Sequence, residues 1–567
     1  MLFNITKILN YLLLIASTPT IVYGEEQNYG TNHGAVASES KICSEIGTQL
    51  LQKCHGGRCG NAVDALVGTV FCVGTVAMYH SGIGGGGFAL VRLPNGTYKS
   101  VDFREVAPDA AHENMYQGNI DGSKIGGLAS AVPGEVKGLK YIHENYGNLR
   151  WADVMAPAIK LARYGFPVSK DLVTYMDLTT PNSFFTDEKE WAIDFAPQGH
   201  RVRYGEIMTR ERYANTLEDI ANRGPKAFYT GHIAEATIRA LKSRNGCMEL
   251  EDLERYNFTL PDPVKIQYRD YSLTSINAPS SGIVALSALN ILGGFLDFEE
   301  PRQSNSSTHR MIEAIKWGYG QRKGLGDPSF VALGQYTKNM ISKETGDWIR
   351  SKISDNQTFD DDYYDVDGTE LLKTPGTSHI VTADASGMSV SMTTTINLYF
   401  GSHVMVPETG VIMNNEMNDF DIPSERNRFG LDSNKANFIQ GRKRPLSAIS
   451  PIIAETSDNK LLFSIGCAGG IRITTANIQN AIHLLDGKMT TLEALSEPRL
   501  HAQLGQARNV TIEGGYDNGV IGFLESLGHG INRGPAQTSA QGLRRLPDGS
   551  FEAAAEPRQC NSGASVV

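Results

Sequence analysis

A threonine directly after a glycine, at the point where a loop becomes a strand, is the first place in this sequence where residue types could do chemistry. The stretch Lys373-Thr374-Pro375-Gly376-Thr377-Ser378-His379-Ile380-Val381 follows an acidic loop carrying Asp360, Asp361, Asp362, Asp365 and Asp367. Ser378 to Ala383 has strand character, Asp384-Ala385-Ser386-Gly387 reads as a hairpin turn, and Met388 to Thr395 reads as the return strand. A Thr hydroxyl so placed can attack the carbonyl before it and turn the Gly376–Thr377 amide into an ester by an N→O acyl shift. Water then releases Thr377 as a new N-terminus. Gly376 suits the step because glycine tolerates strained backbone angles cheaply. The freed α-amino group, with an ordinary pKa of about 7.7–8.0, can act as the base for its own hydroxyl. The same residues can also do no more than open a strand.

Five other stretches carry chemistry-bearing groups. Val101-Asp102-Phe103-Arg104-Glu105-Val106-Ala107-Pro108 places an arginine after a short strand, and its guanidinium can hold a carboxylate through a bidentate fork or pair locally with Glu105. Thr393-Thr394-Thr395-Ile396-Asn397-Leu398-Tyr399-Phe400-Gly401 sets three hydroxyls and an amide at a strand end. Asn414-Asn415-Glu416-Met417-Asn418-Asp419-Phe420 offers two carboxylates three residues apart among amides, which suits an ammonium ligand or a capped turn. Lys443-Arg444-Pro445-Leu446-Ser447-Ala448 is a polar loop. Leu461 to Ile465 reads as a strand running into Gly466-Cys467-Ala468-Gly469-Gly470, with a helix from Ile471 to Leu485. Such a junction points backbone N–H groups outward, with a helix dipole behind them, which is material for an oxyanion hole.

The elements that must position these groups come from an ordinary globular composition. The 567 residues are 41% hydrophobic and 20% charged, enough to bury a large core or more than one domain. A net charge of −10 argues against nucleic acid as a partner. Lys7 followed by the apolar run Ile8–Ala16 and small Gly24 has the form of a signal peptide over residues 1–24, cleaved or retained as an anchor. Seven cysteines, four of them before residue 73, fit one or two disulfides in an oxidising compartment. Cys54-x4-Cys59 lacks the second ligand pair of a zinc motif. No metal or organic cofactor is indicated. Sequons at Asn95, Asn257, Asn305, Asn356 and Asn509 are candidate glycosylation sites. Asn61 to Tyr79 reads as a buried helix leading into the glycine run Gly84–Gly87, taken as tight backbone packing beside a site. Residues 130–350 read as mainly helical, with helices at Ala152–Tyr164, Tyr213–Arg223 and Ser280–Leu292. Asp355–Gly376 reads as a solvated linker, and the chain beyond Thr377 as rich in strands.

Taken in order, Arg104-Glu105-Val106-Ala107-Pro108, Gly376-Thr377-Ser378-His379, the Thr395–Gly401 stretch, Asn414–Phe420, Lys443–Ser447 and Ala468-Gly469-Gly470 resemble γ-glutamyltransferase, from about Gly34 to the C-terminus. The resemblance implies an α+β fold, the N-terminal nucleophile hydrolase four-layer αββα sandwich. It implies a precursor that cleaves itself before Thr377 into a large chain, residues 25–376, and a small chain, residues 377–567, which remain one catalytic unit as a heterodimer. Thr377 would be the nucleophile, forming a γ-glutamyl ester from glutathione or its conjugates, released to water or to an amino acid or dipeptide acceptor. Thr395 would hydrogen-bond the nucleophile. Asn397, Glu416 and Asp419 would hold the substrate's α-amino group, Arg104 and Ser447 its α-carboxylate, and Gly469 and Gly470 the oxyanion. Tyr399 would cover the pocket, and Cys43 and Cys72 match a disulfide pair of the family. These roles suit a zwitterionic head, which needs an anionic and a cationic clamp side by side.

Two departures stand out. Ala448 occupies the place of a second serine, so one hydroxyl toward the α-carboxylate is missing, and Asn418 stands where an acid is frequent. Cys54 and Cys59 look like an added local bridge. Two other readings are a side-chain amide acylase of the same fold, which would lack the amino-group clamp, and a non-catalytic surface-binding homologue, which would have lost Thr377 or the glycine pair. The leader places the chain in the secretory pathway, ending outside the cell, at its surface or in a vacuole- or lysosome-like lumen, with membrane attachment only if the leader is retained.

Overall fold

Gly376–Asp384 and Ser389–Asn397 are buried at every position, so neither strand alternates between a wet and a dry face. Both faces of their sheet must therefore be covered, and they are. The computed structural model describes residues 28–29, 33–301, 304–364, 376–423, 434–505, 508–535 and 538–567. The proposed leader, residues 1–24, and residues 365–375 lie outside them. The strands used below are β1 (Asn28–Tyr29), β2 (Gly34–Ser38), β3 (Gly86–Arg92), β4 (Tyr98–Asp102), β5 (Val264–Tyr268), β6 (Tyr271–Ser275), β7 (Gly376–Asp384), β8 (Ser389–Asn397), β9 (Ile452–Glu455), β10 (Leu461–Ala468), β11 (Ser539–Arg545), β12 (Phe551–Ala554) and β13 (Gly563–Val566).

One sheet runs β13-β2-β7-β8-β3-β4 and the other β1-β12-β11-β10-β9-β6-β5, every neighbour pair antiparallel. The two sheets face each other through a core that includes Ala37, Phe88, Leu90, Val381, Ala383, Ile453 and Leu543. The outer face of the first sheet is covered by α1 (Lys41–Gln52), α2 (Ala62–Val76), α3 (Glu135–Tyr146) and α4 (Trp151–Tyr164), and that of the second by α5 (Gly282–Gly293), α6 (Asn305–Arg322) and α7 (Arg472–Leu485). This is the four-layer αββα order that the resemblance implies.

Side chains two apart on a strand share a face. Thr377 therefore shares the inter-sheet face with His379, Val381 and Ala383. On β8 that face carries Ser391, Thr393 and Thr395, whereas Val390, Met392, Thr394 and Ile396 turn toward the helices. His379 shows how tight the gap is. Its Nδ1 meets Thr393 Oγ1 at 2.8 Å and its Nε2 meets Ser391 Oγ at 3.2 Å, and its ring lies against Gly466 of the facing sheet. Burial drives the imidazole pKa down to about 3, so this ring is a neutral packing group.

The helix read from Asn61 to Tyr79 is α2, with Asn61 as its N-cap: Asn61 Oδ1 accepts from the N–H groups of Val63 and Asp64. The glycine run is close-packed as expected, since a side chain on Gly85 would collide with the Thr395 carbonyl. Residues 130–350 are less uniformly helical than their sequence suggests, because β5 and β6 form a hairpin there on the edge of the second sheet. Their alternation is short, and edge position lets polar residues such as Lys265 and Gln267 face out. The linker reading also needs correction over its first half. Asp355 pairs with Arg310, Asp360 with Arg508, and Asp361 accepts from the Gly505 N–H, so this acidic stretch is fastened down instead of simply solvated. Cys43–Cys72 and Cys54–Cys59 are both disulfides, while Cys247, Cys467 and Cys560 are free. Asn95, Asn257, Asn305 and Asn356 are exposed and Asn509 is half-buried. No described helix is long and apolar enough to cross a membrane.

Candidate active site

β7 begins with a bulge: Gly376 pairs with Asn397, and Thr377 with Thr395, so the register slips between the two residues where cleavage was inferred. A side chain at 376 would lie 2.5 Å from both the Asn397 carbonyl oxygen and the Leu398 carbonyl carbon, which makes glycine a steric requirement there. Thr395 Oγ1 donates to the Gly376 carbonyl at 2.7 Å and accepts from the Asn397 N–H at 2.7 Å. It also lies 3.3 Å from Thr377 Oγ1. The single Thr395 proton is spent on Gly376, so the Thr377 hydroxyl is the donor in that contact and its lone pairs are free. Thr395 thus polarises the carbonyl next to Thr377 while holding the Thr377 hydroxyl itself.

Thr377 opens into a narrow cleft lined by Arg104, Thr395, Asn397, Glu416, Asp419, Ser447, Ala448, Ile449, Gly470 and Ile473. Eight of the expected site residues, Thr377 included, are scattered over more than 360 positions of the sequence; the fold gathers all of them here. Arg104 is 1% exposed and sits between the two acids, with Nη1 donating to Glu416 and Nη2 to Asp419. Its Nη2 also donates to the Leu446 carbonyl at 3.1 Å. Glu416 and Asp419 lie on one turn, Glu416–Asp419, which closes onto β8 because Asn397 Nδ2 donates to the Asn415 carbonyl at 2.8 Å and the Leu398 N–H to Asn415 Oδ1 at 2.9 Å.

Two acceptors in this cleft are left over. Asn397 Oδ1 and Glu416 Oε2 are buried without a hydrogen-bond partner. Asn397 itself adopts φ 74°, a left-handed conformation rarely held by non-glycine residues and often found at functional sites. A third acid, Glu105, is wholly buried with both oxygens unpartnered and stands 3.8 Å from Arg104. One guanidinium therefore faces three carboxyl groups. Burial pushes Glu105 up to about 8 and raises Glu416 and Asp419 above the usual carboxylate range, with Arg104 pulling the other way. Burial opposes the Arg104 charge, but the three acids hold its proton more firmly than usual. The cleft as a whole favours an added cation beside a fixed one.

Gly469 and Gly470 adopt φ 125° and 62° at the end of β10, just before α7. Gly470 lines the cleft. Gly469 is its neighbour in the turn and does not line it. Ser447 and Ala448 are also at the wall, so the absent hydroxyl of Ala448 faces the site. Tyr399, like Gly469, is outside the cleft wall. It packs on Tyr175 and His80, with ring centroids 4.8 and 5.6 Å away, and does not line the cleft.

Sequence reasoning missed three contributors. Glu105 reads in the sequence only as a local ion partner of Arg104; its burial is set by Gly86 against it, which no local pattern reveals. Thr394, one of three adjacent hydroxyls, turns to the helix side and donates to Glu135. Asn414 ties the glycine run to the acid turn, with Nδ2 donating to the carbonyls of Gly84 and Ala131 at 2.8 Å each. The repeated amides of Asn414–Asn415 were the available signal.

Comparison with known proteins agrees with this geometry. Residues 43–566 match the profile of a family described as Gamma-glutamyltranspeptidase. The chain is 49% identical over 545 residues to a protein of Arthroderma benhamiae named glutathione hydrolase proenzyme, covering 94% of this chain and 93% of the relative. It is 46% identical over 540 residues to a protein of Aspergillus flavus named glutathione hydrolase, covering 94% and 89%. Among solved structures, a cephalosporin acylase from Bacillus halodurans superposes with a TM-score of 0.83 at 26% identity, covering 97% of this chain and 98% of that one.

Proposed function

Since this chain belongs to the γ-glutamyltranspeptidase family, we propose that it is a γ-glutamyltransferase and glutathione hydrolase made as a precursor that cuts itself between Gly376 and Thr377. The observation that carries the substrate reading is the pair of unpartnered acceptors, Asn397 Oδ1 and Glu416 Oε2, beside the Arg104 guanidinium in the Thr377 cleft. An α-amino acid head brings an ammonium to the first two and a carboxylate to the guanidinium and Ser447, relieving the buried unpaired oxygens.

In processing, Thr377 Oγ1 attacks the Gly376 carbonyl carbon, whose oxygen Thr395 polarises. The C–N bond breaks, the Thr377 nitrogen takes the hydroxyl proton, and an ester remains. Water hydrolyses it, leaving the Gly376 carboxylate and a free Thr377. In turnover the new amine takes the Thr377 hydroxyl proton as Oγ1 attacks the donor's γ-carbonyl. The oxyanion forms against the Gly469–Gly470 turn. The leaving amine takes the proton, and water or an acceptor's amino group then attacks the γ-glutamyl ester. Sheet topology supports a stable pair of chains after the cut: residues before 377 supply β2, β3 and β4 to one sheet and β1, β5 and β6 to the other, interleaved with strands from after it.

N-terminal sequencing of the purified chains tests the reading. Two chains are expected, the smaller beginning Thr-Ser-His-Ile-Val, with hydrolysis of glutathione; Thr377→Ala is expected to remain uncut and inactive. A wild-type chain that stays whole would refute it. The likeness to a cephalosporin acylase favours a second reading, a side-chain amide acylase, against which the amino-group clamp argues. Comparing γ-glutamyl with glutaryl anilide separates the two. The leader and the exposed sequons support passage through the secretory pathway, to the cell exterior, surface or a vacuolar lumen, which glycosidase sensitivity would test.

A further inference from the structure

The last turn of α6 reaches both walls of the cleft. Tyr319, 3% exposed, donates its hydroxyl to the Ile471 carbonyl at 2.6 Å, and Ile471 directly follows Gly470. Arg322, three residues on and so on the same face, donates Nε–H to Ser281 Oγ at 3.0 Å. Ser281 Oγ in turn donates to the Ser447 carbonyl at 2.6 Å, and the Ser281 N–H to the Ile449 carbonyl at 2.9 Å. The two walls are also linked to each other, because Thr474 Oγ1 on α7 donates to the Ala448 carbonyl at 3.2 Å.

Each bond fixes a segment that cannot fix itself. Two successive glycines at positive φ have no side chains to hold their peptide planes. The orientation of their N–H groups is left to the bonds that flank them, from the Ile473 N–H to the Gly470 carbonyl at 3.0 Å and from Tyr319 to Ile471. The Ser447 loop has no regular secondary structure over residues 443–451; Arg104 and Asn437 hold it at Leu446, while at Ser447 itself the N–H donates to the Pro279 carbonyl at 2.9 Å and the carbonyl is held by Ser281, which Arg322 holds in turn. A site must hold its groups to about 0.5 Å to be productive. Both tethers also cross the cleavage point, running from a helix upstream of Thr377 to loops downstream of it.

Resting on the function proposed above, we infer that Tyr319 and Arg322 are positioning residues for the reaction: Tyr319 sets the Gly469–Gly470 turn for the oxyanion, and Arg322 sets Ser447, through Ser281, for the α-carboxylate. The two therefore act on different kinetic constants. Tyr319 serves a charge that develops only in the transition state, so its loss lowers kcat. Arg322 serves a group bound alike in ground and transition states, so its loss raises KM.

The test uses the full chain, γ-glutamyl-p-nitroanilide and active-site titration by the acyl-enzyme burst, which normalises kcat to the correctly folded and processed fraction. Tyr319→Phe is expected to lower kcat about tenfold with KM within twofold. Arg322→Gln, Arg322→Lys and Ser281→Ala are each expected to raise KM about five- to tenfold with kcat within twofold, the double Arg322→Gln/Ser281→Ala variant no worse than the singles. Equal losses in both constants for either set, or wild-type kinetics, would overturn the inference. Normal KM in Arg322→Lys beside a raised KM in Arg322→Gln would also overturn it, because charge near Asp419 and not the Ser281 tether would then be responsible. Wild-type enzyme that fails to turn over the anilide refutes the proposed function instead.

Discussion

Thr395 Oγ1 lies 3.3 Å from Thr377 Oγ1 across the β7–β8 pair, and its own proton points at the Gly376 carbonyl 2.7 Å away. Under the proposed self-cleavage, one hydroxyl serves both the attacking oxygen and the carbonyl under attack. Thr395→Ala is expected to slow self-cleavage by about 10²-fold, the cost typical of losing one donor to a developing oxyanion, and Thr395→Ser to stay within about fivefold. A time course of precursor and product bands on denaturing gels measures both. Equal rates for the alanine variant and wild type would remove Thr395 from the mechanism.

The bulge at Gly376 leaves no room for a methyl group, with the Asn397 oxygen and Leu398 carbon 2.5 Å from where it would sit. Gly376→Ala should push β7 away from β8 and separate Thr377 from Thr395. Precursor should accumulate while thermal unfolding stays cooperative, since the remaining ladder from Thr377 to Ala383 is intact. Processing at the wild-type rate would contradict the steric argument.

Arg104 is shared between Glu416 and Asp419. Asp419→Ala removes one acid from the ammonium clamp and one partner from a buried guanidinium. A charge-assisted bond is worth about 1.5–3 kcal/mol, so KM for a γ-glutamyl anilide should rise about 10- to 100-fold, with a smaller effect on kcat. Unchanged KM and kcat would refute the assignment.

Glu105 is pushed up to about 8 by burial, against about 4.3 in an unfolded chain. The folded protein therefore binds an extra proton between those values, and this contribution to stability is present at acid pH and lost as pH rises through about 8. Glu105→Gln keeps the neutral shape. Its melting temperature relative to wild type should climb from pH 5 to pH 8 and level off beyond. A difference that is flat with pH, or falls, would show that Glu105 is ionised in the fold.

Cys43–Cys72 closes a loop of sequence separation 29 between two core helices, whereas Cys54–Cys59 closes one of 5 on an exposed hairpin. By loop entropy the first is worth about 3–4 kcal/mol and the second about 2. Replacing Cys43 and Cys72 with alanine should lower the melting temperature clearly more than replacing Cys54 and Cys59. The reverse order would mean the hairpin carries a role beyond its own closure.

Much of this protein is determined by local sequence. The strand–turn–strand at Thr377, the apolar helix from Asn61 and the Gly469–Gly470 junction are short-range signals, set by backbone geometry within a few residues, and the order of the motifs is written along the chain. The αββα architecture and the roles of the groups in the cleft came from the family resemblance that these motifs carry together. What the chain alone could not settle depends on distant partners. Glu105 owes its proton affinity to burial against Gly86, which outweighs the opposing pull of Arg104, which of Thr394 and Thr395 faces the gap between the sheets depends on which layer covers each face, and Tyr399 turns to Tyr175 and His80 instead of the pocket. The acidic stretch from Asp355 reads as solvated until Arg310 and Arg508 arrive from elsewhere. Which of several equivalent acids, hydroxyls and amides meet at one point is a matter of long-range packing and of charge in a dry interior. Neither exists until the two sheets close on each other.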